Sequence, residues 1–409
     1  MKVLALGGSG GMGVHACRIV AGLDAVTELV VTDLDERRAR RFAETLGPCA
    51  AGRALDVDDA GALAAAMRGA DMVMNTVGPF FRFGVPILAA AIEAGCDYID
   101  ICDDWEPTVR MLEMGETAAK AGVTALVGMG ASPGISNLLA VAAAGELDTV
   151  REIITGWNIE VAGPESGMND APGAAIVHGI EQLTGTIRVT REGRVVDEPA
   201  LRRVRLDYPG LGRRNGWTFG HPEALTLPAA FPTVTSSVNV VVGSRSFIAG
   251  LAALRFAVDR GLLSKRRAAR IGDRVERLFP SDPVRALGPG TLPPLFALAV
   301  GTHDGEPASV GCALAHAPGL TMGETTGIPL GLALGLLTET KPGVHTPETL
   351  IDPMEFFAAL APHCPESPSA TEMVVTTRSW DVDPRQAIEE AFTRARHVLS
   401  ADSATIAPQ

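Results

Sequence analysis

The sequence predicts an α/β protein: a Rossmann-type doubly wound parallel sheet joined to a second, mixed α/β domain. Three observations carry this. A glycine cluster, Gly7-Gly8-Ser9-Gly10-Gly11-Met12-Gly13, sits between a strand-like run and a helical pattern. Apolar runs and helical segments then alternate as far as residue 144. From about Val150 longer alternating runs and Gly/Pro-rich loops take over, as expected of mixed or antiparallel strands.

Taken in order, Lys2–Leu6 reads as the first strand, and Val14, Cys17, Val20 and Ala21 recur at helical spacing after the glycines. Glu28–Thr32 is a second strand closed by Asp33, and Asp35–Leu46 a helix. Ala54–Val57 is the expected third strand, Ala60–Arg68 a helix, and Asp71–Val77 a fourth strand with an apolar centre, as a strand covered on both faces requires. Pro86–Ala94 is helical, Tyr98–Cys102 a fifth strand, Thr117–Ala121 helical and Val123–Val127 a sixth strand. A helix over Ile135–Ala144 completes the expected first domain, residues 1–149. In the expected second domain, 150–322, Thr186–Thr190 and Arg194–Val196 flank Glu192-Gly193, a hairpin signal. Residues 323–409 read as helical (Thr326–Leu337, Pro353–Leu360, Arg385–Leu399) and are expected to pack back on the first domain or the hinge.

The glycine cluster has a chemical meaning in this order. Gly8, Gly10 and Gly13 satisfy G-x-G-x-x-G, and Gly7, Gly10 and Gly13 the longer G-x-x-G-x-x-G. A strand, a tight turn and a helix N-terminus bring backbone amides and the positive end of a helix dipole to a pyrophosphate. Ser9 is available to that pyrophosphate. Asp33 follows Gly13 by 20 residues, where a carboxylate accepts the adenosine ribose hydroxyls. This predicts a dinucleotide, and Asp33 favours NAD because it repels a 2′-phosphate. Arg37 and Arg38 leave NADP possible, or form a solvated helix face. Asp56 and Val57 are expected to meet the adenine edge. The turn Val77-Gly78-Pro79 leaves the carboxyl end of a central strand, where ligands of such sheets bind.

Composition narrows the remaining classes. A chain of 409 residues exceeds one ordinary core, and 46% hydrophobic with 20% charged residues describes a globular, soluble protein. The net charge of −13 argues against nucleic-acid binding, since nothing would neutralise phosphates over an extended surface. Met1-Lys2 runs directly into the first strand, so no signal peptide is expected and the cytoplasm is the expected location. The most apolar run, Ile328–Leu337, is too short to span a membrane and contains Pro329. Six scattered cysteines form no C-x-x-C pair, so reduced thiols are expected, with neither disulfides nor a metal site. Cys102, beside Asp103, is the exception to watch.

Several blocks together resemble one family. They are Val77-Gly78-Pro79-Phe80; Gly130-x-x-Pro133-Gly134-x-x-Asn137-Leu138-Leu139-Ala140; Phe219-Gly220-His221-Pro222-Glu223; Thr326-Gly327-Ile328-Pro329; and Gly343-Val344-x-x-Pro347-Glu348. The set resembles the saccharopine dehydrogenase-like family, which includes saccharopine reductases, lysine 6-dehydrogenase and carboxynorspermidine dehydrogenase. The resemblance implies a nucleotide-binding domain plus an α/β substrate domain, often as a homodimer. It also implies hydride exchange at a carbon bonded to nitrogen, in an amino acid or polyamine derivative.

That chemistry needs a group for the amine proton and one for a substrate carboxylate. Asp103 and Asp104 follow a strand's carboxyl end and are the first candidates, with a helix cap at Asp104 as the structural alternative. His221, as a histidine, can shuttle a proton, or can hold a turn. Ser132 precedes Pro133-Gly134 at a helix start, an anion-binding or capping arrangement. Asn169 and Asp170 can line the cleft, and Arg245 can grip a carboxylate bidentately or lie on the surface. Glu324 reads better as a cap. Two rivals stand beside the enzyme reading: a nucleotide-binding scaffold without turnover, and a carbonyl reductase. The chain has only Tyr98 and Tyr208, and Tyr208 carries no following Tyr-x-x-x-Lys lysine, which counts against common short-chain reductase chemistry.

Overall fold

The computed structural model describes residues 1–161, 174–278, 290–319, 321–390 and 392–393. The chain begins with β1 (Lys2–Leu6), α1 (Gly11–Ala21), β2 (Glu28–Asp33), α2 (Glu36–Glu44), β3 (Ala50–Ala54), α3 (Ala60–Met67), β4 (Met72–Asn75) and α4 (Phe80–Ala94). It continues with β5 (Asp97–Asp100), α5 (Trp105–Leu112), α6 (Gly115–Ala121), β6 (Thr124–Leu126) and α7 (Ile135–Ala144). Next come β7 (Thr149–Asn158), α8 (Ala174–Leu183), β8 (Thr186–Arg191), β9 (Arg194–Pro199), β10 (Arg203–Tyr208) and β11 (Gly212–Phe219). Then follow α9 (Glu223–Ala230), β12 (Ser236–Val242), α10 (Arg245–Asp259), α11 (Lys265–Leu278), β13 (Leu295–His303) and β14 (Glu306–Leu314). The last elements are α12 (Met322–Leu336), β15 (Gly343–His345), α13 (Pro347–Leu350), α14 (Pro353–Leu360) and β16 (Val374–Arg378).

These elements form two compact units. The first holds Met1–Ile135 and Met322–His363, and the second Ser136–Thr321 and Cys364–Gln409. The change of unit thus falls at Ile135, not at residue 149. Residues 323–363 lie in the first unit and the chain from Cys364 in the second. The reason is a strand that the helical reading passed over. β16 is β-branched at four of five positions and pairs antiparallel with β14, from Val310↔Arg378 to Leu314↔Val374. Of the helix expected over Arg385–Leu399, residues 384–390 and 392–393 are helical and the others lie outside the described residues.

The sheet of the first unit has the order β15-β6-β5-β4-β1-β2-β3, all parallel. Order reverses between β1 and β4, which places the ligand crevice beyond their carboxyl ends. Val3, Leu4, Ala5 and Leu6 are all buried, as a strand between two helix layers must be. The third strand is shifted from Ala54–Val57 to Ala50–Ala54. Asp56 accepts the Asp58 N–H instead, an Asx turn that takes the backbone out of the ladder. The small residues of β3 have a purpose: a Cβ at Gly52 would lie 2.3 Å from the α2 backbone.

α12 lies against α1, the helix that follows the glycine turn. Gly327, Gly331 and Gly335 recur every four residues, so they share one face. A Cβ on Gly327 would stand 2.2 Å from the Met12 carbonyl, and one on Gly331 would stand 2.7 Å from Ile19 Cβ. The two helices therefore meet at backbone distance.

The second unit is built on a mixed sheet, β10-β11-β12-β7-β13-β14-β16, with β8 and β9 attached at β12. Only the β12–β7 pairing is parallel among these. The hairpin at Glu192-Gly193 forms with both residues at positive φ, 50° and 71°, as the twist of a two-residue connection demands. No helix among the described residues is long and apolar enough to cross a membrane.

Candidate functional site

The glycine turn is tied down by the backbone. Gly8 N–H donates to the Thr32 carbonyl and Gly10 N–H to the Gly7 carbonyl. Gly7 sits at φ 69°, where a side chain is strained. At Gly13 a Cβ would lie 2.4 Å from the Gly7 carbonyl oxygen and 2.8 Å from Gly8 Cα, so only hydrogen fits. Gly10, Gly11 and Met12 remain half-exposed at the start of α1. The first N–H groups of this helix therefore face a reachable surface, as an anion site needs.

Asp33 ends β2 beside this turn. Its carboxylate accepts from the Ser9 hydroxyl and from Asp35 N–H, and Arg38 Nε stands 3.9 Å away. Arg38 Nη2 also donates to the Ser9 carbonyl at 2.6 Å. The Ser9 hydroxyl is thus directed to Asp33. Arg38, though a turn further on in sequence, is thereby brought beside Asp33 and the glycine turn. Asp56 is exposed and Val57 half-buried in the turn after β3.

The loops after β4, β5 and β6 form the other half. Val77 N–H donates to Asn75 Oδ1, which shapes the turn into Gly78-Pro79. Asp103 is half-buried, and Asp104, 8% exposed, accepts the Phe81 N–H at the start of α4. Asp104 stands at the N-cap position of α5 without a side-chain cap bond, so its carboxylate serves the first turn of α4 and not its own helix. Cys102 is fully buried between a Thr108 hydroxyl and the Asp104 carbonyl, and burial pushes its thiol well above the ordinary range. Burial of this kind disfavours the thiolate. Gly130 and Gly134 pair across a closed loop, with Gly130 N–H donating to the Pro133 carbonyl. Pro133 and Gly134 are buried in that loop, and half-buried Ser132 lies at its tip. A Cβ on Gly130 would meet the Thr326 methyl at 2.9 Å, so the Thr326-Gly327-Ile328-Pro329 block packs on this loop.

Two candidates fall in the second unit, in different settings. His221 is 3% exposed and enclosed: Nε2 lies 3.2 Å from Gln182 Oε1 and Nδ1 3.6 Å from Glu223 Oε2. Glu223, fully buried, accepts from the Ser136 hydroxyl at 2.8 Å and Asn239 Nδ2 at 3.2 Å. Trp157 stacks on the imidazole. This geometry suits a group that orders a buried polar network. Arg245 is exposed, the first residue of α10, and Asn169 and Asp170 lie outside the described residues.

A dinucleotide therefore fits the first unit on its own geometry: a turn that admits no side chain, a helix start open to an anion, and a carboxylate at the end of β2. The family model of the saccharopine dehydrogenase NADP-binding domain matches residues 3–126, which is β1 through β6. Apo saccharopine dehydrogenase (L-Glu forming) from Saccharomyces cerevisiae is similar in structure, with a TM-score of 0.57 at 16% identity, covering 87% of this chain and 96% of that one. Residues 3–126 thus match that family's nucleotide-binding domain, and the chain as a whole shares the fold of saccharopine dehydrogenase. Among curated proteins the chain is also similar to trans-acting enoyl reductases of Mycobacterium ulcerans (strain Agy99), 30% identical over 103 residues, and Mycobacterium tuberculosis (strain ATCC 25618 / H37Rv), 31% over 102 residues. Each match covers 24% of this chain and about a quarter of the relative's length.

Three buried polar residues beside these loops are absent from the candidates that the sequence offers. Asn75, Tyr98 and Asp100 are all fully buried at the ends of β4 and β5. A signal was present: a tyrosine and an aspartate two apart, on one face of a strand otherwise apolar at its centre. Of the two alternatives open for Arg38, the structure has its side chain reaching back to Ser9 and Asp33, which spacing along a helix does not show.

Proposed function

We propose that this chain is an NAD(P)-dependent oxidoreductase acting on a C–N bond, interconverting an amine and an imine of an amino acid or polyamine derivative. The observation that carries this reading is the sign of the charge at the carboxyl end of β5. Asp103 and Asp104 place two carboxylates on the loop where the crevice of such a sheet opens. A C–N substrate passes through a cationic iminium, which adjacent carboxylates stabilise. Reduction of a carbonyl or an enoyl group builds negative charge, which they oppose.

A bound nicotinamide supplies or accepts the hydride. The chain's own part is to hold that group and to manage charge and protons. The turn from Gly7 to Gly13 and the start of α1 would hold the pyrophosphate, and Asp33 the ribose hydroxyls. Asp104, fixed by the Phe81 N–H, acts as the standing anion, and half-buried Asp103 takes the amine proton. His221 positions its neighbours in the second unit.

Asp33 supports NAD. A second reading, NADP, is supported by Arg38, whose guanidinium reaches the Ser9 carbonyl beside Asp33, and by the family model's NADP-binding domain. Reduction of an activated C=C bond is the reading that the enoyl reductase matches would favour. One panel separates these: nicotinamide absorbance with amines, with keto acid plus amine pairs, and with an enoyl thioester. The C–N reading expects turnover with an amine or imine, reduced about 100-fold or more in Asp103→Asn. Turnover with the enoyl thioester alone, or tight cofactor binding with no turnover at all, contradicts it.

A further inference from the structure

Three fully buried polar side chains form a line under the loops of the first unit: Asn75 at the end of β4, and Tyr98 and Asp100 on β5. The register places Asn75 opposite Asp100, with Tyr98 two residues back on the same face. Asn75 Nδ2 donates to the Tyr98 hydroxyl at 3.0 Å, and that hydroxyl donates to Asp100 Oδ2 at 2.7 Å. The other carboxylate oxygen, Oδ1, accepts two backbone N–H groups, Cys102 at 2.9 Å and Gly128 at 2.8 Å. Asn75 Oδ1 accepts Val77 N–H at 3.0 Å. The Asp100 carbonyl accepts Met129 N–H. One connected chain thus fixes the first residues of three loops, after β4, β5 and β6.

Burying three polar groups in a strand pair costs stability unless each is satisfied, and apolar residues would pack there without that cost. Their bonds run to the loops and not to the ladder. We propose that Asn75, Tyr98 and Asp100 are positioning residues that set the three loops around the nicotinamide half of the cofactor. The inference rests on the dinucleotide reading above. It separates the two halves of the site, since the adenosine side is built by β1, β2 and the glycine turn, which this chain does not touch through any of these bonds.

The test uses Tyr98→Phe, which keeps the ring and removes the hydroxyl link. Affinities for ADP-ribose, which lacks nicotinamide, and for NADH and NADPH are measured on the full chain. Expected is ADP-ribose affinity within about twofold of the original and a loss of about tenfold for the nicotinamide cofactor that the parent chain binds. Equal losses for both ligands, or no loss for either, overturn the proposal. A parent chain that binds ADP-ribose but neither NADH nor NADPH overturns the dinucleotide reading together with it. Should Tyr98→Phe not fold, amide hydrogen exchange on the parent chain decides. The N–H groups of Val77, Cys102 and Gly128 are expected to exchange together and slowly, and faster exchange there than at the Ser9–Met12 turn overturns the proposal.

Discussion

Gly13→Ala adds one methyl group where the structure leaves no room. The new Cβ would stand 2.4 Å from the Gly7 carbonyl oxygen, 2.8 Å from Gly8 Cα and 2.9 Å from Gly8 C. All three are backbone atoms of the turn, so no side chain can swing aside. Ordinary contact needs about 3.5 Å, which requires the start of α1 to move away from the turn by about 1 Å. Overpacking of this kind costs about 1–3 kcal/mol of stability, and a displacement of about 1 Å in a binding geometry weakens function by on the order of 100-fold. The control is Gly22→Ala on the same helix. Gly22 has φ −90° and ψ −3°, and its nearest neighbour would be the Ile19 carbonyl at 3.4 Å. Alanine there is expected to stabilise by about 0.4–1 kcal/mol through the unfolded chain. Thermal unfolding and cofactor fluorescence titration on the two variants should therefore move in opposite directions. Gly13→Ala should lower the midpoint by several degrees and weaken cofactor binding at least about tenfold, and Gly22→Ala should raise the midpoint slightly with binding unchanged. Cofactor binding by Gly13→Ala at full strength, or equal harm from both variants, would refute the assignment of this turn as the cradle.

Two further outcomes follow from the same unit. Asp33→Ala is expected to weaken NADH binding by about 10- to 100-fold and NADPH binding far less, while Arg38→Ala should cost NADPH more than NADH; equal effects on both cofactors in either variant would remove the ribose assignment. Burial pushes the Asp100 carboxyl up from 3.8 to about 6, against the pull of its bonds from Cys102, Gly128 and Tyr98, with the charge of Asp103 adding to the rise. Because the folded value lies above the unfolded one, the folded unit takes up the proton first, and stability from this group rises as pH falls from about 6 toward 4. The full window is worth about 3 kcal/mol. Denaturation of the parent chain minus that of Asp100→Asn, from pH 4 to 7, should show this slope; identical pH dependence in the two proteins contradicts it.

The nucleotide half was legible because several levels of the sequence agree there. The strand at Lys2–Leu6, the glycines, the helical spacing after them and Asp33 all demand the same local geometry, and β1, α1 and β2 form where they should. What stayed hidden depends on contacts that spacing does not carry. Asp56 could not be seen to leave β3, since an Asx turn and a strand end look alike in sequence. β15 has three residues and gains its place only by pairing with β6. The direction of the Ser9 hydroxyl toward Asp33, and the reach of Arg38 to the same point, are side-chain choices made by packing. His221 reads as a titratable group in its block, yet its partners Gln182 and Glu223 enclose it, one of them 39 residues away.

Hydride exchange at a C–N bond, under the control of the carboxylates after β5, is open to direct test. The most direct measurement is nicotinamide absorbance during turnover of the parent chain and of Asp103→Asn with an amine, in the presence of saturating cofactor. Turnover is expected in the parent, and in Asp103→Asn a kcat lower by about 100-fold or more with cofactor affinity preserved. Unchanged kcat in the variant, or no turnover of any amine or imine by the parent while an enoyl thioester is reduced, would contradict it.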